Sequence, residues 1–200
     1  MTFTLVKENA AQICIDSHAA DYRGLKHVAK ILAGDILTVT GKEPEIVEQI
    51  QNVPQIVAAT KGTSDILAKW EEEKKIDLSV LEGKREVFTV QMIKEDGAEK
   101  LVIAGTETIA TLYGLYYISE NIGVSPWVYW ADVVPAQKEE IVFDESICTV
   151  SKEPSVRYRG FFMNDEWPSL GNFVMNTFGD FNEFFYEKVF DLLLRLKGNY

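Results

Sequence analysis

Short apolar runs alternate along this chain with stretches in which apolar residues recur every three or four positions. The opening run from Met1 begins as strand, and Gln12-Ile13-Cys14-Ile15 reads as a short buried strand. Asp16, Ser17 and His18 lead from it into a helical pattern. Leu25, Val28, Ala29, Leu32 and Ile36 fall on one face of that helix, and Gly41 is its stop. Gln55 to Ala59 reads as a second buried strand. Thr63 or Ser64 can cap the helix that follows, with Asp65 at its positive end and Ile66, Leu67 and Trp70 as its apolar face. Val87 to Ile93 and Leu101 to Ala104 read as two strands joined by an Asp96-Gly97 turn. A helix from Thr108 to Asn121 ends near Gly123, and residues 140–143 add one more short strand. This order predicts an α/β layer domain over residues 1–150, with strands near 12–15, 55–59, 87–93 and 101–104 sharing a sheet.

The texture changes after Gly123. Ser125 to Trp130 packs two Trp and one Tyr into six residues. Such a cluster can stack on a sugar or fill a domain interface. The interface is favoured, because each ring buries a large area. Lys152-Glu153-Pro154 reads as a boundary, since proline biases the residue before it toward extended backbone. Val156 to Met163 then reads as a strand ending in Asn164-Asp165-Glu166. A very apolar helix follows, with Phe181, Phe184, Phe185, Val189, Leu192, Leu193 and Leu196, and Gly198 as its stop. One preceding strand cannot cover that much apolar surface. Much of it is expected to face water, and residues 155–200 are expected to be the least stable part of the chain.

Composition narrows the function. The chain is 46% hydrophobic and 26% charged, too apolar for a disordered protein. Its net charge of −11 is concentrated in residues 1–150, where 14 Lys and Arg face 24 Asp and Glu. That balance argues against nucleic acid, whose binding rests on neutralising phosphates, and against an anionic membrane surface. No run approaches a membrane span. The start shows no signal peptide, so the simplest reading is cytoplasmic; a leader removed beforehand would leave the same start and a secreted protein. Cys14 and Cys148 have no metal-ligand spacing and read as free, buried thiols. His18 and His27 are nine apart with no second ligand at helical spacing, so no metal site is assigned. Ala104-Gly105-Thr106-Glu107 stands where a phosphate-binding turn would stand. It lacks the fingerprint glycines and reads as a plain strand-to-helix turn.

Asn164, Asp165 and Glu166 are the candidate site. Carboxylates and an amide at the end of a strand that leads into a helix suit the mouth of a (β/α)8 barrel, where functional residues gather. A polar strand-end turn is the plain alternative. Strand alternation would point Asp165 and Glu166 to opposite faces.

A set of ordered motifs resembles glycoside hydrolase family 115. They are Leu101-Val102-Ile103-Ala104-Gly105, Leu112-Tyr113-Gly114, Asn121 to Trp127, Tyr129 to Val133, Glu153 to Gly160, Asn164-Asp165-Glu166 and Arg195 to Tyr200. The family consists of xylan α-1,2-glucuronidases. The resemblance implies an inverting enzyme without a cofactor that removes glucuronic acid or its 4-O-methyl ether from xylan or a related polysaccharide. It implies an N-terminal α/β accessory domain over 1–150 and the incomplete start of a catalytic (β/α)8 barrel, its first strand and helix, over 151–200. Asn164, Asp165 and Glu166 would contact sugar hydroxyls. The general acid and base would lie beyond residue 200, so no catalytic residue is assigned. The expected partner is a polysaccharide or oligosaccharide, with a homodimer among the assemblies open to the complete enzyme. This 200-residue piece is expected to be inactive alone. The alternative is a stand-alone carbohydrate-binding or interaction module without catalysis. The doubly apolar last helix favours the enzyme fragment, because a self-sufficient module would end in a polar outer face.

Overall fold

The computed structural model describes residues 1–200. Strand β1 (Phe3–Val6) is followed by β2 (Gln12–Ile15), helix α1 (Tyr22–Thr40), β3 (Ile46–Val47) and β4 (Gln55–Thr60). Helix α2 (Asp65–Glu72), β5 (Phe88–Glu95), β6 (Ala98–Gly105) and α3 (Thr108–Asn121) come next. The chain continues through β7 (Ile141–Phe143), β8 (Thr149–Val150), α4 (Ser169–Phe178) and α5 (Glu183–Arg195). Six strands form one sheet in the order β3-β2-β4-β6-β5-β8. The first four run parallel, and β5 and β8 complete the sheet in antiparallel pairing. β1 and β7 pair with each other in a separate antiparallel ribbon.

Every residue of β4 is buried, because helices cover both faces of the sheet. Alternation sorts its neighbours. Ile13, Ile15, Ile56, Ala58, Leu101 and Ile103 share a core with α1 and α3. Cys14, Val57, Ala59, Val102 and Ala104 share the opposite core with Leu67 and Trp70 of α2. The four strands expected from the pattern therefore lie in one sheet. Asp96 (φ 49°) and Gly97 (φ 87°) both take positive φ, the twist that a two-residue hairpin requires.

Two glycines set how closely α3 approaches the sheet. A Cβ on Gly105 would lie 2.4 Å from the backbone N of Thr111, and one on Gly114 would lie 2.3 Å from Cγ2 of Ile103. Helix ends are less regular than the pattern suggested. Gly41 ends α1 in the left-handed region at φ 72°, as expected. Ser64 occupies the cap position of α2, but its side chain makes no capping bond and its Oγ is buried without a partner.

Residues 151–200 depart most from expectation. Val156 to Met163 is not a strand; residues 151–168 form no regular element before α4. A parallel barrel strand is held by bonded neighbours on both sides, and between Val156 and Met163 the backbone bonds another backbone only at Arg159. There the N–H groups of Asn199 and Tyr200 both donate to the Arg159 carbonyl, at 2.7 and 3.1 Å. Of the strand and helix expected here, a helix alone is formed, α5. It is preceded by α4, which the sequence reading did not include. Asn182 caps α5, its Oδ1 accepting from the N–H groups of Phe184 and Phe185. The left-handed residue after α5 is Lys197 (φ 58°) rather than Gly198, whose N–H returns to the Leu193 carbonyl at 2.7 Å. The apolar surface of α5 is divided. Phe185, Val189 and Leu192 are buried, while Phe184, Phe190 and Leu196 face solvent.

Two outcomes are expected. Gly105→Ala forces a methyl against backbone and should destabilise the chain by roughly 1–3 kcal/mol in urea unfolding. Gly34→Ala, where a Cβ meets nothing, is its control. The buried carboxyl of Glu95 supplies the second. Burial opposes its charge, but bonds from Lys75, Trp70 and Lys69 outweigh burial and hold its pKa down to about 2. A depressed carboxylate stabilises the fold above its unfolded pKa and loses that contribution as pH falls from about 4.5 toward 2. Glu95→Gln should therefore flatten the fall in unfolding free energy over that range, by on the order of 1–3 kcal/mol.

Candidate functional site

The candidate triplet sits on a segment that two arginine networks fasten to the sheet domain. Arg195, with 4% of its side chain exposed, lies at the junction of α1, α3 and α5. It pairs with Asp35 of α1 and with Asp191 of α5, each at 2.9 Å, and donates to Ser119 of α3 at 3.1 Å. Its guanidinium lies over the Tyr116 ring, 5.0 Å from the centroid, and Tyr116 donates to Asp191 at 2.8 Å. Burial and the Asp191 carboxylate push the Tyr116 phenol well above its ordinary pKa, so it acts as a neutral donor.

Arg159 anchors the irregular run. Its guanidinium pairs with the buried carboxylate of Glu86 and donates to the Val156 and Lys197 carbonyls, both at 2.9 Å. Asn199 donates to the same carboxylate at 3.3 Å, and its Oδ1 accepts from the Arg159 N–H at 2.9 Å. Tyr113 of α3 donates to the Gly198 carbonyl at 3.0 Å, with burial pushing its phenol up to about 12. Glu86 itself sits at φ 56°, a backbone conformation unfavourable without glycine, and its N–H is held by Glu107 at 2.7 Å.

From that anchor the chain runs outward. Phe162 is 89% exposed, and Asn164, Asp165 and Glu166 are all exposed. Nδ2 of Asn164 donates to Oε1 of Glu166 at 3.1 Å. The side chains at 164 and 166 thus meet, although the strand whose alternation was expected to sort them is not formed. The triplet offers an amide, hydroxyl-accepting carboxylates and open access.

The other candidates resolve differently. Trp130 packs against Phe173 and Phe185, with centroids at 6.0 and 6.4 Å, and its Nε1 donates to the Lys188 carbonyl at 3.1 Å. That ring fills the interface between the sheet domain and α4–α5. Nε2 of His27 lies 3.6 Å from Oε1 of Glu187, while His18 is exposed. Cys14 is buried, its thiol pushed up to about 12 by burial and by Asp16; Cys148 is half-buried, and neither is in a disulfide. A groove of about 670 Å³ between α1 and α5, lined by His27, Ile31, Tyr116, Glu187, Phe190 and Asp191, does not include the triplet. Sequence reasoning missed Arg159, Glu86 and Arg195, because nothing local joins residues 73 or 160 positions apart.

The fold alone does not define an activity, and comparison with known proteins supplies the pointer to a glycoside hydrolase. The family model for glycosyl hydrolase family 115 matches residues 151–200. A solved structure described as "a novel family GH115 4-O-Methyl-alpha-glucuronidase, BtGH115A, with specificity for decorated arabinogalactans" superposes with a TM-score of 0.80 and 33% identity. That match covers 98% of this chain and 25% of the other, so this chain spans about a quarter of its relative's length. Another structure, of CpGH84D, matches 80% of this chain and 23% of its own at 12% identity and a TM-score of 0.48. No curated protein matches. The chain is thus similar to glycoside hydrolase family 115 over residues 151–200 and to one quarter of a family 115 enzyme over nearly its whole length, the family its ordered motifs resemble.

The anchoring networks make a specific prediction. Removing one partner of a buried ion pair costs about 3–5 kcal/mol. Arg195→Met should strip amide protection from 183–195 while 101–121 stays protected in hydrogen exchange. Glu86→Gln should loosen 157–160 and 198–200 and leave α5 in place.

Proposed function

We propose that this chain is part of a glycoside hydrolase that removes glucuronic acid, or its 4-O-methyl ether, from a decorated polysaccharide by an inverting route without a cofactor. Residues 1–150 serve as an accessory domain. Residues 151–200 begin a (β/α)8 catalytic barrel, with Asn164, Asp165 and Glu166 at its mouth contacting sugar hydroxyls. The observation that carries this reading is the rung at Arg159. Two chain segments, around 159 and 199, are bonded through the Arg159 carbonyl, with α4 and α5 between them. Asn164 to Glu166 then follow the carboxyl end of the first segment, where barrel enzymes place their sites. The solved relative's activity on 4-O-methylglucuronic acid and its specificity for decorated arabinogalactans make arabinogalactan, beside xylan, a substrate to test.

Glycoside hydrolysis needs a general acid and a general base placed across the scissile bond. Residues 151–200 offer Asp165 and Glu166 at adjacent positions, which do not make such a pair. The 200-residue chain alone should therefore release no glucuronic acid from glucuronoxylan or arabinogalactan above a heat-inactivated control. In a longer protein containing this chain, Asp165→Ala should lower kcat/KM by about 10- to 100-fold, the loss of one charge-assisted hydrogen bond of roughly 1.5–3 kcal/mol. Turnover by the short chain, or an unchanged kcat/KM in the variant, would overturn these role assignments.

A further inference from the structure

Beside the triplet lies a side chain that neither the folding core nor the anchoring networks use. The Trp167 ring lies flat against Gly171 at the start of α4: a Cβ on that glycine would fall 2.4–2.9 Å from ring atoms Cε2, Cδ2 and Nε1. One face of the indole is thus seated on backbone, and Gly171 beneath it is buried. The residue is nevertheless 61% exposed. No hydrogen bond or aromatic partner engages the ring, whereas Trp130 is enclosed by Phe173, Phe185 and Tyr129. Asn164 and Glu166, bonded to each other, stand one to three residues away. A seated, open indole beside an amide and a carboxylate has the chemistry of pyranose recognition. The C–H face of the ring covers the indole, and the hydroxyls at its edge meet the polar pair.

Charge decides which pyranose. Residues 160–182 contain no Lys and no Arg, while Asp165, Glu166 and Asp180 lie among them. A uronate carboxylate placed there would meet like charge and no cation from this segment. We propose that Trp167 is a stacking platform for a neutral pyranose of the polysaccharide, with Asn164 and Glu166 bonding that sugar's hydroxyls. This rests on the reading of the triplet as a sugar-contacting rim, and it assigns to that rim the neutral sugar rather than the uronic acid.

The test uses the 200-residue chain, ¹⁵N-labelled, titrated in parallel with methyl β-xylopyranoside and with methyl glucuronoside. The indole N–H signal that vanishes in Trp167→Phe identifies this ring. It should shift on titration with the neutral glycoside, and the glucuronoside should bind at least about fivefold more weakly. Trp167→Ala should weaken the neutral glycoside roughly five- to tenfold, the contribution of one stacking partner. Trp167→Phe should recover most of that loss by keeping an aromatic face. An Asn164 side-chain signal that shifts while the Trp167 indole does not would overturn the platform and leave the rim reading standing. Silence at both would overturn both. Tighter binding of the glucuronoside would overturn the assignment of the neutral sugar.

Discussion

The buried guanidinium of Arg195 is the constraint around which the three helices on one face of the sheet are arranged. A cation this deep is tolerated only where its charge and donors are met. Asp35 and Asp191 meet the charge, and Ser119 and the face of Tyr116 meet what remains. Each partner comes from a different helix or from the arginine's own, so α1, α3 and α5 can meet only in the geometry that satisfies it. Apolar packing alone ties α5 mainly to α4 and Trp130, through Phe185 and Val189, and leaves its register on α3 less defined. The ionic junction selects one. It thereby ties the segment carrying the triplet to the frame of the sheet.

The sheet was legible because its strands are buried on both faces and read as unbroken apolar runs, and because α1 and α3 carry periodic apolar faces. The two-residue strands β3 and β8 were not, being too short to show a pattern. The pairing of β1 with β7 joins opposite ends of the sheet domain, and no local signal reports that. α4 hid behind Gly171: a glycine inside a helical pattern lowers its apparent propensity, although Leu170, Phe173, Val174 and Phe178 keep helical spacing. The run from Val156 to Met163 misled in the opposite sense. Its composition suits a strand, but strands exist by pairing, and here only Arg159 has found a partner. Of the candidate site, only the exposed, polar character of the triplet could be read from the chain. The networks that aim it could not, since Glu86, Arg159 and Asn199 converge from three distant places in the sequence.

The same limits explain the mixed character of α5. Its apolar residues exceed what one face of a helix can bury, so the structure divides them between a stripe packed with α4 and Trp130 and a ridge open to solvent. The seated stripe shows that residues 183–195 are more than a loosely appended tail, which tempers the expectation that 155–200 is the weakest region throughout. The irregular run from 160 to 168 lacks both the core contacts of α5 and the hydrogen-bonding partners of a strand. It is there, rather than in α5, that local opening should concentrate.

Charge placement bears finally on how a uronic acid could be handled by a protein of this composition. Residues 1–150 carry a net charge of −10, and the rim around the triplet adds carboxylates without a cation. A glucuronate approaching this surface is repelled at long range, and at short range it finds acceptors where it needs donors. Arg159 and Arg195 are already committed to Glu86 and to Asp35 and Asp191, while the exposed Arg157 lies over the Tyr158 ring without a carboxylate partner. On the proposed reading, the cations for a uronate come from outside residues 160–182, and the triplet meets the sugar through its hydroxyls.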